Sequence, residues 1–446
     1  MEILIKAAQF LLSLSLLIIL HEFGHFAFAK LFKTRVEKFY LFFDPWFSLF
    51  KYKKGDTEYG IGWLPLGGYV KISGMIDESM DKEQLKKPAQ PWEFRAKPTW
   101  QRLIIITAGV MVNFLLGFFI YVMVLFTWGE KYMPTDNITD GIWVFDEVVK
   151  EIGIKTGDKI VDIDGKKTER LLDLTGDFFV GKTVSVDRNG ELIKLDLPVD
   201  LVSKLIENKS RLLFYPRMPF IIASISDSSI NYNSGLKVRD HIIALNDRPI
   251  KYFDEFNDVA IQFKNDTVNL LIERDNETKN ISVVLDSAGK IGIMPAMVSL
   301  NDMDKMGVYN LVTHDFTFAE AIPAGINKAY NKLNSYVQQV KLILNPKTGA
   351  YKGLGGFGTI GNLFPSTWDW QSFWEITAFL SLILAVMNLL PIPGLDGGHT
   401  MFIIYEMIFR RKPSDKFMEY AQMAGMLLLF ALLIYANGKD IIRAFE

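Results

Sequence analysis

Residues 3–29 read ILIKAAQFLLSLSLLIILHEFGHFAFA, an apolar run whose last third contains two His and one Glu within five residues. About 20 apolar residues cross the hydrocarbon core of a bilayer as a helix. Three more stretches of this kind follow, Leu103 to Gly129, Ile376 to Leu395 and Tyr420 to Gly438. Four buried helices of a soluble core are the weaker alternative, because long soluble helices normally carry a polar face. The pattern predicts a multi-pass α-helical membrane protein with four transmembrane helices.

The overall composition excludes several classes of protein. The chain has 446 residues, 49% of them hydrophobic, and a formal net charge of -2. This charge balance provides no basic field for nucleic acid, so we expect no nucleic-acid partner. The absence of Cys excludes disulfides, thiolate nucleophiles and Cys-ligated metal sites.

The distribution of Lys and Arg predicts the orientation in the membrane. These residues are concentrated between residues 30 and 102 and between 397 and 419. The positive-inside rule therefore places both segments in the cytoplasm. With four spans, both termini and the insert 130–370 then lie outside. The first apolar stretch lacks a small-residue cleavage site, so we expect it to be retained rather than removed as a signal peptide.

The external insert contains an internal repeat. Residues 153–167 read GIKTGDKIVDIDGKK and residues 235–249 read GLKVRDHIIALNDRP, 82 residues apart. A repeat of this size predicts two duplicated small domains, and each copy resembles a PDZ domain. The second copy departs from the PDZ pattern at Arg239 and Asp247. PDZ domains bind extended peptides at a sheet edge, but two β-rich modules without a ligand remain the alternative.

A helix is predicted after the second module. Ile322, Ile326, Tyr330, Leu333, Val337, Val340 and Leu344 recur at helical spacing. This helix would lie in the membrane interface or pack on the neighbouring module.

The pentapeptide His21-Glu22-Phe23-Gly24-His25 fits the pattern H-E-x-x-H. On a helix, residues four apart share a face, so both imidazoles can bind one metal ion while Glu22 deprotonates the attacking water. Ionisable groups inside a spanning helix are costly, which favours a functional site over a polar patch at the membrane edge.

A catalytic zinc site needs a third protein ligand at the same depth. Asp396 follows the third apolar stretch directly, about 30 Å along it, and His21 lies about 25 Å along the first. Both positions fall in the cytoplasmic half of the membrane. We therefore expect one Zn²⁺ per chain on His21, His25 and Asp396, with His399 as the rival third ligand.

HEFGH together with Asn388-Leu-Leu-Pro391-Ile-Pro-Gly-Leu-Asp396-Gly-Gly-His resembles the site-two protease family of intramembrane zinc metalloproteases. The resemblance covers essentially the whole chain. It implies zinc on His21, His25 and Asp396, and it implies Glu22 as the general base. It also implies that Asn388 and Pro391 hold the substrate backbone near the metal.

One further local motif extends the resemblance, and two others depart from it. The stretch Trp63 to Gly74 resembles the family's re-entrant β-hairpin, whose edge pairs with an extended substrate. The departures are Val110 and Phe357, each where the family has Pro. The substrate-binding residues implied for the hairpin are Gly67, Gly68, Tyr69 and Val70.

The resemblance implies a function and a location. The expected activity is cleavage of transmembrane segments of single-pass proteins, of the anti-sigma-factor and remnant-signal-peptide kind, after a first external cut. The PDZ-like pair would act as a size filter. The expected location is the lipid bilayer of a bacterial inner membrane, with the PDZ-like domains in the periplasm. The alternatives are a non-catalytic membrane scaffold and a soluble-type zinc protease tethered to the membrane.

The expected domain organisation follows from these assignments. The parts are an N-terminal membrane part with the re-entrant β-hairpin (1–129), a first PDZ-like α+β domain (130–220), a second (221–307), the amphipathic helix and linker (308–370), and a C-terminal membrane part (371–446).

Overall fold

A computed structural model describes residues 1–65, 67–75, 88–210 and 212–445. The chain forms two compact units. Unit 1 comprises residues 1–129, 315–338 and 354–446, and unit 2 comprises residues 130–314 and 339–353. The helices are α1 (Glu2–Leu31), α2 (Thr99–Trp128), α3 (Glu147–Glu151), α4 (Leu171–Val180), α5 (Leu201–Glu207), α6 (Phe253–Ala260), α7 (Leu300–Lys305), α8 (Phe318–Leu344), α9 (Phe357–Gly361), α10 (Trp370–Leu389), α11 (Asp396–Phe409) and α12 (Asp415–Phe445), with 3₁₀ turns at Phe94–Ala96, Thr135–Asn137, Ile261–Phe263, Pro346–Thr348 and Ala350–Gly353.

Strands occur in both units. In unit 1 they are β1 (Val36–Leu41), β2 (Phe43–Lys54), β3 (Thr57–Leu64) and β4 (Tyr69–Ile72). In unit 2 they are β5 (Glu130–Tyr132), β6 (Ile142–Val144), β7 (Lys159–Ile163), β8 (Thr183–Arg188), β9 (Glu191–Asp196), β10 (Phe214–Pro216), β11 (Phe220–Ile225), β12 (His241–Leu245), β13 (Arg248–Pro249), β14 (Thr267–Arg274), β15 (Glu277–Val284), β16 (Ile293–Pro295) and β17 (Val312–His314).

In the described part of the chain, α1, α2, α10 and residues 416–445 of α12 are long and apolar enough to cross a membrane, as the four predicted spans require. The third span differs in its bounds from the apolar stretch that predicted it. α10 ends at Leu389, and Asp396 begins the separate helix α11. Two prolines interrupt the helix, because proline lacks a backbone N–H and clashes with the preceding turn. Gly394, with φ +98°, completes the bend.

Small and hydroxylated residues bring α1, α2 and α10 together. A Cβ on Gly24 would lie 2.7 Å from the carbonyl oxygen of Ala108, so the two backbones touch at the H-E-x-x-H turn. The hydroxyls of Thr377 on α10 and Ser13 on α1 form a hydrogen bond with 2.9 Å between their oxygens. Close approach at small residues and hydrogen bonds between helices are the usual means of packing helices in lipid.

The sheet in unit 1 corrects one expectation. Its strand order is β2-β3-β1-β4, with β1 parallel to β3 and antiparallel to β4. β3 and β4 are therefore separated by β1, and the stretch Trp63 to Gly74, in which Leu66 lies outside the described residues, is not a hairpin in itself. The hairpin of this sheet joins β2 to β3. β4 is an edge strand, and its free side is turned away from β1.

Unit 2 contains two hydrophobic cores that correspond to the two copies of the repeat. Val149, Phe178 and Val186 lie in the first core, and Phe220, Ile242 and Leu270 lie in the second. The second module has a sheet of order β15-β14-β12-β11-β16, and the first has the sheets β7-β8-β9 and β10-β6. Each module combines helices with antiparallel strands, as expected for an α+β domain.

The repeat is matched by the same ion pair in both modules. Arg188 Nη2 donates to the buried carboxylate of Asp158 at 2.7 Å and to the carbonyl oxygen of Gly153 at 2.7 Å. In the second module, Arg274 Nη2 donates to Asp240 at 2.6 Å and to Gly235 at 2.8 Å. These bonds fix the turn that precedes β7 and β12. The two repeats are thus equivalent in structure as well as in sequence.

The segment after the second module returns to the first. Val298, Met303 and Tyr309 are buried in the core of the first module. Asp140 of the first module also accepts hydrogen bonds from the hydroxyl of Tyr252 at 2.6 Å and from the ammonium of Lys251 at 2.8 Å. The first module therefore depends on residues beyond 220, and the two modules are joined by direct contacts.

α8 packs against α2 mainly through small residues. A Cβ on Gly325 would lie 2.6 Å from the backbone of Val122. Three of the large apolar side chains that predicted the helix point outward, since Ile322 is 41%, Ile326 45% and Tyr330 61% exposed, whereas Leu333 packs against the core. This arrangement suits a helix with one face on the membrane helices and the other on lipid.

Candidate active site

His21, His25 and Asp396 come together although α1 and α11 are far apart in sequence. Their candidate ligand atoms all lie within 4.8 Å of one another. Asp396 Oδ2 lies 3.2 Å from Nε2 of His21 and 3.2 Å from Nε2 of His25, and the two Nε2 atoms are 3.2 Å apart. Atoms that each lie about 2.0 Å from one tetrahedral ion are separated by about 3.3 Å. The three side chains thus have the spacing of three ligands of one zinc ion.

A hydrogen bond beside the cluster directs a lone pair of His25 towards its centre. His25 Nδ1 lies 2.8 Å from the carbonyl oxygen of Ile105, which can only accept, so Nδ1 carries the ring proton. In a neutral imidazole, Nε2 then presents a lone pair. Asp396 Oδ2 is buried and, among the described residues, makes no hydrogen bond. The Nε2 lone pair of His25 and the carboxylate oxygen of Asp396, 3.2 Å apart, repel each other unless a cation lies between them, so these groups fit a metal ion.

Gly109 on α2 provides the space for the two imidazoles. A Cβ at this position would lie 2.7 Å from Cε1 and 2.8 Å from Nε2 of His21, and closer still to Nε2 of His25. Any larger residue would displace the two rings. α2 is therefore one wall of the site, although it supplies none of the three acidic or imidazole side chains.

Glu22 lies between this cluster and the edge strand β4. Its carboxylate is within hydrogen-bonding reach of the backbone N–H of Val70. Gly68 allows the close approach, because a Cβ there would lie 2.6 Å from Ile18 and 3.3 Å from Cγ of Glu22. The free side of β4 thus faces the carboxylate next to the two His residues.

The remaining predicted residues lie around this arrangement. The ring of Tyr69 stacks on Tyr40 at 5.3 Å, and its hydroxyl donates to Asp44 at 2.8 Å, so this side chain supports the sheet. Gly67 directly precedes Gly68. Asn388 lies in the last turn of α10, and Pro391 lies in the loop that leads to Asp396.

His399, the rival third ligand, lies one turn after Asp396 on α11. It lines a separate pocket with Arg102 and Glu406, which pair at 2.6 Å. Among the described residues, the group close enough to share one ion contains Asp396 and not His399.

Sequence reasoning missed the part that α2 plays in the site. From the sequence, the stretch Ala108 to Phe114 is notable only for Val110, where the family has Pro. In the structure it contributes Gly109 and also Asn113, whose amide lies beside His21. The available signal was a glycine and an amide four residues apart, and therefore on one face, in an otherwise apolar helix.

The sequence profile of peptidase family M50 matches residues 9–432. The chain belongs to peptidase family M50. Among its relatives is the regulator of sigma-E protease RseP of Escherichia coli, 28% identical over 98% of both chains. The regulator of sigma E protease of Haemophilus influenzae is 25% identical over 99% of this chain and 100% of its own. A Clostridium perfringens protein named for zinc metalloprotease activity is 26% identical over 97% of each chain.

Membership of this site-two protease family, together with the four apolar helices, establishes the class of the protein. It is a zinc metalloprotease of the inner membrane that takes part in regulated intramembrane proteolysis. Its substrates are membrane proteins, and its environment is a lipid bilayer.

Proposed function

We propose that this M50 peptidase hydrolyses a peptide bond within a transmembrane segment, with His21, His25 and Asp396 as zinc ligands and Glu22 as general base. The observation that carries the proposal is the triangle of 3.2 Å separations among the three candidate ligand atoms. When bound, zinc polarises the scissile carbonyl and acidifies the attacking water. Glu22 accepts the proton of that water and passes it to the leaving amine.

The substrate is held as an extended strand on the free side of β4. A transmembrane helix must unwind before attack, and its freed backbone groups need partners in a water-poor site. Tyr69 and Val70 lie in the edge strand β4 next to Glu22, and Gly67 and Gly68 directly precede it. Pairing with this edge is the β-augmentation mode of peptide binding. Asn388 and Pro391, near the chain that leads to Asp396, complete the binding of the substrate backbone.

The two modules of unit 2 are PDZ-like and act as a size filter. Their shared Asp–Arg pair and α+β composition support a duplicated domain of this kind. Two of the relatives are named as regulators of sigma E. On this basis the substrates are single-pass proteins, such as anti-sigma factors and remnant signal peptides, whose outer domain has already been removed. Exclusion of bulky outer domains would prevent premature cleavage.

The proposed orientation follows from the basic residues. The segments 30–102 and 397–419 are cytoplasmic, and both termini and unit 2 are periplasmic. The stretch Trp63 to Gly74 re-enters the membrane from the cytoplasm and reaches the site in the inner half of the bilayer.

The test is Glu22→Gln in the full-length protein, with cleavage of a model single-pass substrate as the measurement. We expect a loss of at least about 100-fold in cleavage rate, because the amide cannot accept the proton. Zinc content should be unchanged, because Glu22 is not a proposed ligand. Glu2→Gln, on the same helix and exposed, is the control. Cleavage by Glu22→Gln at the wild-type rate would refute the mechanism.

A further inference from the structure

Asn113 is a buried amide whose position has no explanation in the apolar packing of α2. Its side chain is fully buried. Its Nδ2 lies 3.3 Å from Nδ1 of His21, on the side of the ring that faces away from Asp396. Its Oδ1 is buried without a hydrogen-bond partner in the described part of the chain. A buried amide left in this state costs about 1–3 kcal/mol, which points to a role for its contact with His21.

The proton of His21 decides which amide atom faces the ring. Nε2 of His21 points to Asp396 Oδ2 and to His25 Nε2, at 3.2 Å from each. If Nε2 binds zinc, the single proton of the neutral ring lies on Nδ1, which then donates. The amide oxygen and nitrogen have nearly the same shape and exchange by a half-turn of the side chain. A half-turn of the Asn113 amide therefore presents Oδ1 to the Nδ1–H of His21. It also removes the contact between Nδ2 and Nδ1–H, which are both donors.

His25 shows the same arrangement with a different acceptor. Its Nδ1 donates to the carbonyl oxygen of Ile105, which also belongs to α2. Asn113 lies about two turns further along that helix. Its own backbone oxygen is held by the hydroxyl of Ser381 at 2.8 Å. One helix thus supplies the acceptor for each of the two imidazoles.

We propose that Asn113 is a positioning residue for the zinc site, whose amide oxygen accepts the Nδ1–H of His21 and fixes the tautomer and angle of that ring. The inference rests on the zinc ligands proposed above. Partners of this kind, which bind the far nitrogen of a ligand imidazole, typically contribute about 10–100-fold to metal affinity.

The experiment compares Asn113→Leu with Asn113→Asp in the full-length protein in detergent. The measurement is the Kd for Zn²⁺, obtained by competition with a chelator. Leu keeps the branched shape of Asn but has no acceptor, so we expect Kd to rise about 10–100-fold. The carboxylate of Asp accepts the same N–H, so Kd should equal the wild-type value or fall below it. The control is Thr377→Val, which removes a buried hydroxyl that bonds to Ser13 and to the carbonyl oxygen of Phe373; Kd should be unchanged.

Three results would contradict the inference, and they are distinguishable. A wild-type protein that binds no zinc would refute the proposed metal site itself. Wild-type affinity in Asn113→Leu would refute the role of Asn113 alone. Equal loss of affinity in Asn113→Leu and Asn113→Asp would assign Asn113 to packing rather than to hydrogen bonding. Visible absorption of the cobalt-substituted variants supplies a second readout, because a tilted His21 ring changes the ligand geometry even where the affinity change is small.

Discussion

At the scale of single residues, the site depends on the absence of a side chain at Gly109 and on the hydrogen bonding of Asp396. Gly109 has no side chain, and the two imidazoles occupy the space where a Cβ would lie. Asp396 Oδ2 has no hydrogen bond among the described residues, and a cation would satisfy it. Neither feature can be recognised from residue type alone, because each depends on how α1, α2 and α11 pack.

The role of Gly109 leads to a residue-scale prediction. Gly109→Ala should abolish stoichiometric zinc binding, because the added methyl would lie 2.7–2.8 Å from two atoms of the His21 ring. Zinc per chain can be measured by elemental analysis of the purified protein. Gly117→Ala on the same helix is the control for added bulk, since its Cβ would meet Leu382 and, at 3.2 Å, the carbonyl oxygen of Ala378 rather than an imidazole ring. Retention of one zinc by Gly109→Ala would show that the rings can move away without losing the metal.

At the scale of elements, sequence patterns predicted the helices and the repeat but not the pairing of strands. The H-E-x-x-H pattern depends only on the local periodicity of α1, so the sequence alone predicts that His21 and His25 lie on one face of that helix. The separation of β3 from β4 by β1 could not, because strand order depends on contacts between distant residues. The break before Asp396 had a local signal in Pro391 and Pro393, which the apolar composition around them concealed. The role of Asn113 depends on the register between α1 and α2, which no single stretch encodes.

Contacts between the two modules of unit 2 predict a pH dependence. Hydrogen bonds from Lys251 and Tyr252 hold the pKa of Asp140 below its usual value. The stabilisation is therefore complete above about pH 3.9, the pKa of Asp in an unfolded chain, and is lost as the pH falls through the lowered folded-state pKa. Because the Asp140 side chain is 35% exposed, water screens the interaction, and we expect it to contribute about 1 kcal/mol or less.

The measurement is urea unfolding of wild type and Asp140→Asn, followed by tryptophan fluorescence. The variant should be less stable at about pH 6, and the difference should shrink as the pH approaches about 2.5. Asp136→Asn is the control, because its ion pair with Lys167 is exposed on both sides. A difference between wild type and Asp140→Asn that grows on acidification would contradict this explanation.

At the scale of the whole molecule, each compact unit is built from segments that are separated in the sequence. Residues 315–338 belong to unit 1 together with both membrane parts, and residues 339–353 belong to unit 2. Val298, Met303 and Tyr309 complete the core of a module that begins near residue 130. Each copy of the sequence repeat lies at one of the two hydrophobic cores of unit 2, but a repeat cannot reveal that a later segment returns to the first of them.

The orientation in the membrane can be tested because the chain has no Cys. Ser228→Cys in unit 2 and Ser414→Cys between α11 and α12 each introduce a single exposed thiol. A membrane-impermeant maleimide should label Cys at position 228 in intact spheroplasts and Cys at position 414 only after lysis, as the positive-inside rule predicts. The reverse labelling would overturn the proposed topology and, with it, the depth assigned to the site.

The central claim is that one zinc ion is held by His21, His25 and Asp396. Elemental analysis of the purified wild-type protein beside Asp396→Ala tests it most directly, with His399→Ala as the comparison. We predict one zinc per chain in the wild type and in His399→Ala, and loss of zinc in Asp396→Ala. Unchanged zinc in Asp396→Ala together with its loss in His399→Ala would contradict the proposed ligand set.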